Sequence, residues 1–292
     1  MPLRFVHCSD IHLLDLVGTH AGHFFNKRLT GGANLLFNRG RKHDKGMFDR
    51  IVAHAREYAV DRIVITGDLT NLALDSEFEL VRGKLRAAGL PVTVIPGNHD
   101  AYTRGSVRAR RFEHYMAEFM DGERSGGDYP FAQRLGDVAL VGVSTAIASL
   151  PLYAVGEVGG DQLSRLAGML TTLGHDGLAR VVLIHHPVMP GVAKPRHGLN
   201  DRDAFARVIA DHGAELILHG HEHRRIDGDL PGPRGPVPVH GIGSGTYLSQ
   251  KPGRHGAFSL YDASPAAITR VYHTWDGAKF VAEAPATIRP AA

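Results

Sequence analysis

The stretch VTVIPGNHD, residues 92–100, joins an apolar run directly to a polar cluster. Its first four residues are typical of a buried strand, and the Pro-Gly pair that follows favours a turn. Asn98, His99 and Asp100 come next, and side chains of these types bind metal ions, protons or both. The stretch therefore predicts a buried strand that ends in a polar site.

Apolar runs alternate with helical patterns through the first 220 residues. Runs typical of strands occupy residues 3–10, 61–68, 90–97, 137–145, 179–187 and 214–220. Patterns typical of helices occupy residues 45–60, 76–89, 106–120, 161–174 and 201–213. The alternating order predicts parallel strands joined by crossover helices. Ser76 and Glu79 have the spacing of a capping box, which predicts where the second helix begins.

The last third of the chain has a different pattern. Apolar runs at 237–247, 256–263 and 266–275 are joined by turns that contain Pro and Gly, without helical patterns between them. We expect these runs to form an antiparallel second sheet. Together the two regions predict an α/β fold built as a two-sheet sandwich, in a single domain of residues 1–292.

Composition narrows the class of protein. The net charge of +3 is too weak to favour nucleic acid as a partner. Nineteen histidines and one cysteine favour metal chemistry with nitrogen and oxygen ligands over disulfides or thiolate sites. The N-terminus has no basic segment followed by an apolar one, and no apolar run is long enough to span a bilayer. We therefore expect a cytoplasmic protein.

Five polar clusters lie where apolar strands end. They are Asp10-Ile11-His12, Gly67-Asp68, Gly97-Asn98-His99-Asp100, His185-His186-Pro187 and Gly220-His221-Glu222-His223. Because ligands of open α/β sheets bind beyond the carboxyl ends of the strands, we expect the clusters to converge. The spacing of two in D-x-H and H-x-H would, in an extended segment, put both side chains of a pair on one side. Carboxylate, amide and imidazole groups without thiolates suit Mn, Fe, Zn or Ni.

This series of blocks, D-x-H, G-D, G-N-H-D, H-x-P and G-H-x-H, resembles the calcineurin-like metallophosphoesterase superfamily. The resemblance extends from residue 10 to residue 223, and five blocks in this order are a specific signature. It implies a four-layer α/β/β/α fold, in which a two-sheet sandwich is flanked by helices. It also implies an enzyme with two divalent or mixed-valence transition metal ions, such as Mn, Fe or Zn.

The resemblance implies a role for each matching position. One metal would be held by Asp10, His12, Asp68 and His223, and the other by Asp68, Asn98, His185 and His221, with Asp68 as the bridge. His99 would stabilise the phosphoryl oxygens and protonate the leaving group, and Asp100 would orient His99. A hydroxide that bridges the metals would attack phosphorus in line, with inversion.

Two further histidines neighbour the expected ligands. In the H-H-P block the family places its ligand two residues before the proline, which selects His185. His186 would then either support the ligands or face the substrate. His219 shares the spacing of His221 and His223, but the family pattern does not use it. We expect His219 to pack in the interior or to support the ligands.

The segment HFFNKRLTGGANLLFNRGRKH, residues 23–43, lies outside the metal pattern. It mixes six large apolar residues with five Lys or Arg, a composition typical of an interfacial segment. Three interpretations remain open: an insertion packed on the body, a lid over the substrate, or peripheral contact with lipid at the inner membrane face. In each case the segment forms an inserted region at about residues 20–44.

Three functional hypotheses follow. The first is a phosphodiesterase for a small phosphodiester or nucleotide, because the G-N-H-D and H-H-P blocks resemble the class III cyclic nucleotide and glycerophosphodiester branch. The second is a pyrophosphohydrolase for a lipid-linked nucleotide such as UDP-diacylglucosamine. The 23–43 segment favours this second hypothesis, although such enzymes often carry Arg in place of His99. The third is a non-catalytic scaffold of the same fold. The presence of every expected ligand argues against this third hypothesis. The sequence does not indicate an oligomeric state.

Overall fold

The computed structural model describes residues 1–17, 43–248 and 254–289. Of the predicted interfacial segment at 23–43, only His43 belongs to these ranges, and the rest lies outside the described residues. The lid and the lipid contact assigned to that segment therefore stay predictions. The single domain over residues 1–292, with an inserted region at about 20–44, stays a prediction as well.

Fourteen strands and six α-helices are formed by the described residues. The strands are β1 (Leu3–Cys8), β2 (Arg62–Ile65), β3 (Val92–Val94), β4 (Glu123–Arg124), β5 (Phe131–Leu135), β6 (Val138–Gly142), β7 (Ala179–Leu183), β8 (Leu216–His219), β9 (Ile226–Leu230), β10 (Val237–Gly241), β11 (Ala257–Ala263), β12 (Ile268–Trp275), β13 (Phe280–Ala282) and β14 (Ala286–Arg289). The helices are α1 (Lys45–Glu57), α2 (Asp75–Ala87), α3 (Arg104–Arg108), α4 (Arg111–Met116), α5 (Gly160–His175) and α6 (Arg202–His212). Within this part of the chain, no helix combines the length and the apolar character needed to cross a bilayer.

Two mixed sheets contain these strands. The first sheet has the order β13-β12-β11-β1-β2-β3, and β14 also pairs with β12. Its strands β1, β2 and β3 are parallel, as the crossover helices α1 and α2 require. The second sheet has the order β4-β5-β6-β7-β8-β10-β9, and β6, β7, β8 and β10 are parallel. Each sheet therefore presents a group of parallel carboxyl ends at which polar residues can meet.

The prediction that the last third of the chain forms a second sheet of its own is wrong, although β11 and β12 pair antiparallel as expected. β10 instead extends the parallel part of the second sheet, whereas β11 and β12 extend the first sheet beside β1. In this pairing Phe5 lies opposite Tyr261, and their rings stack with centroids 5.2 Å apart. The apolar pattern identifies a strand but not its partner, because strand pairing depends on contacts between distant parts of the chain.

The two sheets pack face to face with helices on their outer sides. In β7, Val181 and Leu183 join the core between the sheets, whereas Val182 packs with α5 and α6. Phe48 of α1 and Phe78 of α2 belong to the same core as the first sheet. The alternation of side chains along β7 thus places helices and the other sheet on opposite faces. The expected four-layer α/β/β/α sandwich is confirmed.

The predicted capping box at Ser76 and Glu79 is wrong. The cap of α2 is Glu77, whose carboxylate accepts hydrogen bonds from three backbone N–H groups of the preceding loop at 2.9–3.3 Å. The hydroxyl of Ser76 instead donates to Asp15 O at 3.1 Å. Glu77 therefore holds the loop that contains Asn71, a residue whose carbonyl contacts the site described next.

Candidate metal centre

The carboxyl ends of β1 and β2 continue side by side beyond the strands. The backbone N–H of Asp10 donates to Gly67 O, and that of His12 donates to Asp68 O, both at 3.0 Å. The backbone N–H of His221, which follows β8 in the other sheet, donates to Asp10 Oδ2 at 3.0 Å. These bonds bring the carboxyl ends of both sheets to one place.

Left-handed backbone conformations occur at five of the expected ligands. The φ angle is 52° at Asp10, 43° at His12, 53° at Asp68, 74° at His221 and 50° at His223. Each such conformation costs on the order of 1–3 kcal/mol for a residue with a side chain, and such residues cluster at functional sites. The expectation that spacing of two in an extended segment aligns each pair is therefore wrong. These residues lie past the strand ends, where tight turns aim each side chain separately.

Glycine is required where the strand ends approach one another. A Cβ on Gly67 would lie 2.6 Å from His185 Nδ1. A Cβ on Gly97 would overlap Asp68 Oδ1 and would lie 2.8 Å from His185 Cε1. The glycines of the G-D and G-N-H-D blocks therefore allow the ligand side chains to pack against neighbouring backbone.

Asp10, His12, Asp68 and His223 come together as a first donor set. His223 Nε2 lies 3.2 Å from Asp10 Oδ1 and 3.3 Å from His12 Nε2. His12 Nε2 lies 3.9 Å from Asp10 Oδ1 and 3.8 Å from Asp68 Oδ2. Two carboxylates and two imidazoles thus surround one small volume.

Asp68, Asn98, His185 and His221 come together as a second donor set. His221 Nδ1 lies 2.9 Å from Asn98 Oδ1 and 3.2 Å from His185 Nε2. His185 Nε2 lies 3.2 Å from Asn98 Oδ1 and 3.5 Å from Asp68 Oδ1. Asp68 thus turns one oxygen to each set, which is the arrangement that a bridging carboxylate needs.

Backbone carbonyls fix the tautomers of two of these imidazoles. His12 Nδ1 donates to Thr70 O at 3.2 Å, and His185 Nδ1 donates to Thr66 O at 2.7 Å. Because a carbonyl only accepts, Nδ1 carries a hydrogen in both rings, and Nε2, which faces the donor sets, is the nitrogen left to bind a metal. Histidines that bind metals are commonly oriented by such a bond from the other ring nitrogen.

The donor atoms fit transition metal ions. Asp10 Oδ1 is buried without a hydrogen bond of ordinary geometry, although His223 Nε2 lies 3.2 Å away. A buried carboxylate oxygen in this condition is unfavourable unless a cation or a donor compensates it. Imidazole, carboxylate and amide donors without thiolates suit Mn, Fe or Zn, and two sets that share Asp68 suit two ions.

The charges of the site attract cations, and metal binding would displace one proton. Burial would lower the pKa of His185, but Asp68 outweighs it and raises the pKa to about 9. Burial alone would raise the pKa of Asp68, but the surrounding imidazoles, chiefly that of His185, hold it well below its ordinary value. Burial would likewise raise the pKa of Asp10, but the neighbouring His223 outweighs burial and lowers it. Burial, together with His185, lowers the pKa of His221 to about 3. At neutral pH the carboxylates are ionised and His221 is neutral, as metal ligands must be.

His99 and Asp100 have separate partners. His99 Nδ1 donates to Asn71 O at 2.7 Å, and the ring stacks on Tyr102 with centroids 5.3 Å apart. The carboxylate of Asp100 instead accepts four hydrogen bonds, from three backbone N–H groups and the hydroxyl of Thr70, at 2.9–3.2 Å. The expectation that Asp100 orients His99 is therefore corrected. Asn71 O orients the ring, and Asp100 fastens the two loops that follow β2 and β3.

His186 and His219 both lie in the interior. His186 Nε2 donates to Ala154 O at 3.3 Å, so Nδ1 accepts from the hydroxyl of Thr145 at 2.7 Å. His219 is buried, and its Nδ1 donates to Gly220 O at 3.0 Å. From the sequence, His186 is expected either to support the ligands or to face the substrate. Because both of its ring nitrogens are bonded in the interior, the structure favours the supporting role.

His43 also lies at the site, although no motif in the sequence predicts a role for it. One of its ring nitrogens lies within 4.8 Å of ring nitrogens of His12 and His223. The histidine-rich composition is the only sequence signal for it, because no motif spacing connects residue 43 to the five blocks.

Comparisons with known proteins agree with this geometry. The family model described as calcineurin-like phosphoesterase matches residues 3–225. A curated relative from Synechococcus sp., named as a probable cyclic nucleotide phosphodiesterase, is 28% identical over 181 residues. That alignment covers 60% of this chain, and the chain spans 62% of the length of that relative.

Two solved structures share the fold. A dimetal phosphatase from Danio rerio has a TM-score of 0.63 at 16% identity, covering 97% of this chain and 99% of that chain. A purple acid phosphatase from yellow lupin has a TM-score of 0.67 at 12% identity, covering 100% of this chain and 54% of that chain. The family match spans most of the chain and includes all the positions of both donor sets. The chain therefore belongs to the calcineurin-like phosphoesterase family.

Proposed function

We propose that this protein is a dinuclear metal-dependent phosphodiesterase for a small phosphodiester or nucleotide. The observation that carries the proposal is the shared position of Asp68, with Oδ2 3.8 Å from His12 Nε2 and Oδ1 3.5 Å from His185 Nε2. Two divalent cations bound there would supply Lewis-acid charge and would activate water for attack on phosphorus.

The residues of the chain would hold and balance these charges. Asp10 and Asp68 place two negative charges in surroundings from which water is largely removed, so their attraction for cations is strong. Asn98 adds a neutral amide oxygen to the second set, which limits the negative charge beside an anionic substrate. The pre-set loops keep these donors in place without reorganisation during the reaction.

His99 is placed to handle the leaving group. Its backbone N–H donates to Asp68 Oδ1 at 2.8 Å, and its ring is held by Asn71 O and by Tyr102. Because the Nδ1 hydrogen goes to Asn71 O, Nε2 is the atom that would carry a second proton and pass it to a leaving alkoxide. The charged ring would also stabilise negative charge on the phosphoryl oxygens.

The choice of a small diester has two supports. The curated relative is named as a probable cyclic nucleotide phosphodiesterase, and the net charge of +3 does not favour a long nucleic acid. Hydrolysis of a lipid-linked nucleotide depends on residues 23–42, which lie outside the described residues, and stays a prediction. The ratio of kcat/KM on a cyclic nucleotide to that on UDP-diacylglucosamine in detergent separates the two. A clear preference for the lipid would refute the small-diester proposal.

Asn98→Ala tests the metal centre. Its amide oxygen lies 2.9 Å from His221 Nδ1 and 3.2 Å from His185 Nε2, so its loss removes a donor from the second set alone. We expect hydrolysis of bis(p-nitrophenyl) phosphate with Mn²⁺ to fall at least about 100-fold, since removing even an outer partner of a ligand costs 10–100-fold in affinity or activity. Asn200→Ala, at an exposed asparagine that belongs to neither donor set, is the matched control and should retain activity.

The outcomes are distinguished by metal content and thermal unfolding. An Asn98→Ala variant that unfolds like the wild type but has lost activity and one bound metal supports the proposal. A folded Asn98→Ala variant with wild-type activity would refute it. A wild-type protein that binds metals but does not cleave any phosphodiester would refute the diester assignment and leave the metal centre standing.

A further inference from the structure

We propose that His43 is a further ligand of the first metal site, beside Asp10, His12, Asp68 and His223. The inference rests on the proposed function, because it concerns the same metal centre, and adds a residue that the five motif blocks do not contain. It assigns a third imidazole to a site that otherwise has two.

The backbone around His43 is fixed close to the site. His43 forms an antiparallel bridge with Tyr247, and the N–H of Asp44 donates to Thr246 O at 3.0 Å. Asp44 is also the N-cap of α1, since its Oδ1 accepts from Gly46 N at 2.8 Å. The residue is therefore placed by a sheet-like contact on one side and by a helix start on the other.

The ring of His43 belongs to a group of three imidazoles. Its centroid lies 5.0 Å from that of His12 and 6.0 Å from that of His223, with interplanar angles of 70° and 90°. A ring nitrogen of each of the three lies within 4.8 Å of those of the other two. Three ring nitrogens this close to one another, beside the carboxylate of Asp10, can bind the same ion.

A hydroxyl sets the tautomer of His43. The hydroxyl of Thr246 donates to Ile11 O at 2.9 Å, and because a carbonyl only accepts, the hydroxyl hydrogen is committed to that bond. The same oxygen lies 2.8 Å from His43 Nδ1, so it accepts and Nδ1 carries the hydrogen. The lone pair of the ring is consequently on Nε2. This is the tautomer already found at His12 and His185, where backbone carbonyls take the place of Thr246.

A third imidazole would make the two metal sites chemically unequal. The first site would then have three nitrogen donors and two carboxylates, whereas the second has two nitrogens, one amide oxygen and the shared carboxylate of Asp68. Nitrogen donors favour Zn, Fe or Co over Mg and Ca. We therefore expect the first site to bind its ion more tightly and to lose it last to a chelator.

The experiment measures Mn²⁺ binding by calorimetry and metal analysis in the metal-free full-length chain, before any activity is assayed. We expect two ions in the wild type, and in His43→Ala a loss of affinity at one site of at least about 10-fold, the lower bound for disturbing a ligand shell. Pulsed EPR of the Mn²⁺-loaded proteins adds a direct count, which should fall from three imidazoles to two at that site. His175→Ala, at an exposed histidine at the end of α5, is the control.

A second pair of variants separates the loss of a ligand from a loss of folding in His43→Ala. Thr246→Val removes the acceptor for His43 Nδ1 and should weaken the first site, whereas Thr246→Ser keeps the hydroxyl and should restore it. Unchanged affinity and an unchanged imidazole count in His43→Ala would overturn the inference while leaving the dinuclear centre intact. A wild-type chain that binds fewer than two ions would overturn the proposed function and this inference with it.

Discussion

Gly97→Ala should disable the site through a single added carbon atom. Gly97 precedes Asn98 in the loop after β3, and its φ is not in the left-handed region, so alanine is acceptable to the backbone itself. The effect therefore comes from space alone. An added Cβ would overlap Asp68 Oδ1 and the Asp68 backbone N, and it would lie 2.8 Å from His185 Cε1.

The size of the effect follows from these contacts. Carbon atoms in ordinary contact are about 3.5–4.0 Å apart, so the loop and His185 must separate by roughly 1 Å. Both neighbours are held in place, since Asp68 Oδ1 accepts from the His99 N–H and His185 Nδ1 donates to Thr66 O. A misplacement of about 1 Å can reduce catalysis about 100-fold. Overpacking of this kind also lowers the free energy of unfolding by about 1–3 kcal/mol.

The assay combines three measurements on the same samples. We expect kcat/KM for bis(p-nitrophenyl) phosphate to fall about 100-fold, with weaker metal retention and a lower melting temperature. Gly83→Ala is the matched control, because Gly83 lies within α2 and an added Cβ there meets nothing within 4 Å. That change should raise the free energy of unfolding by about 0.5–1 kcal/mol, since alanine is the better helix former.

Wild-type kcat/KM and metal content in Gly97→Ala would refute the reasoning. Such a result would mean that the loops after β2 and β3 can separate without moving the donors. A loss of activity in Gly83→Ala of similar size would also refute it, because the effect would then not depend on closeness to Asp68 and His185.

Two further predictions concern the leaving group and the pH dependence of stability. His99→Ala should lower kcat most for diesters with poor leaving groups, because these need the proton from Nε2, and equal losses across a leaving-group series would exclude the acid role. Asp227→Asn should lower the melting temperature at pH 7, since Asp227 accepts two hydrogen bonds from the buried Arg270 at 2.6 and 3.0 Å. Burial opposes these bonds, but Arg270 outweighs it and lowers the pKa of Asp227 to about 2. The stabilisation is therefore complete above about pH 4 and is lost as pH falls toward 2, so the melting temperatures of wild type and Asp227→Asn should converge in that window. The exposed control Asp229→Asn should leave the melting temperature unchanged at pH 7.

The sequence is sufficient to locate most of the site because the local signals agree. Each ligand block follows an apolar strand, and every block except Asp10-Ile11-His12 contains the glycine or proline that a turn favours. Parallel strands place their carboxyl ends at one edge of a sheet, so the convergence of Asp10, Asp68 and Asn98 follows from strand order. The glycines at positions 67 and 97 are explained as well, because only glycine allows the strand ends to approach so closely.

Other features depend on contacts that no local pattern contains. Asp100 has the right residue type and position to orient His99, yet its carboxylate is fully engaged by Thr70 and the loop backbone. Glu77 caps α2 for a similar reason. The geometry of the preceding loop decides which carboxylate the N–H groups of that loop can reach.

By itself the sequence determined the five polar blocks and the strands that carry them, because periodicity and turn chemistry act between near neighbours. Only the tertiary structure decided that β11 lies beside β1 and that tight left-handed turns aim the ligands. It alone brought His43 to His12 and His223 through Thr246, 203 positions further along the chain. The physical reason is that pairing across such separations depends on how the whole core packs, which no short segment specifies.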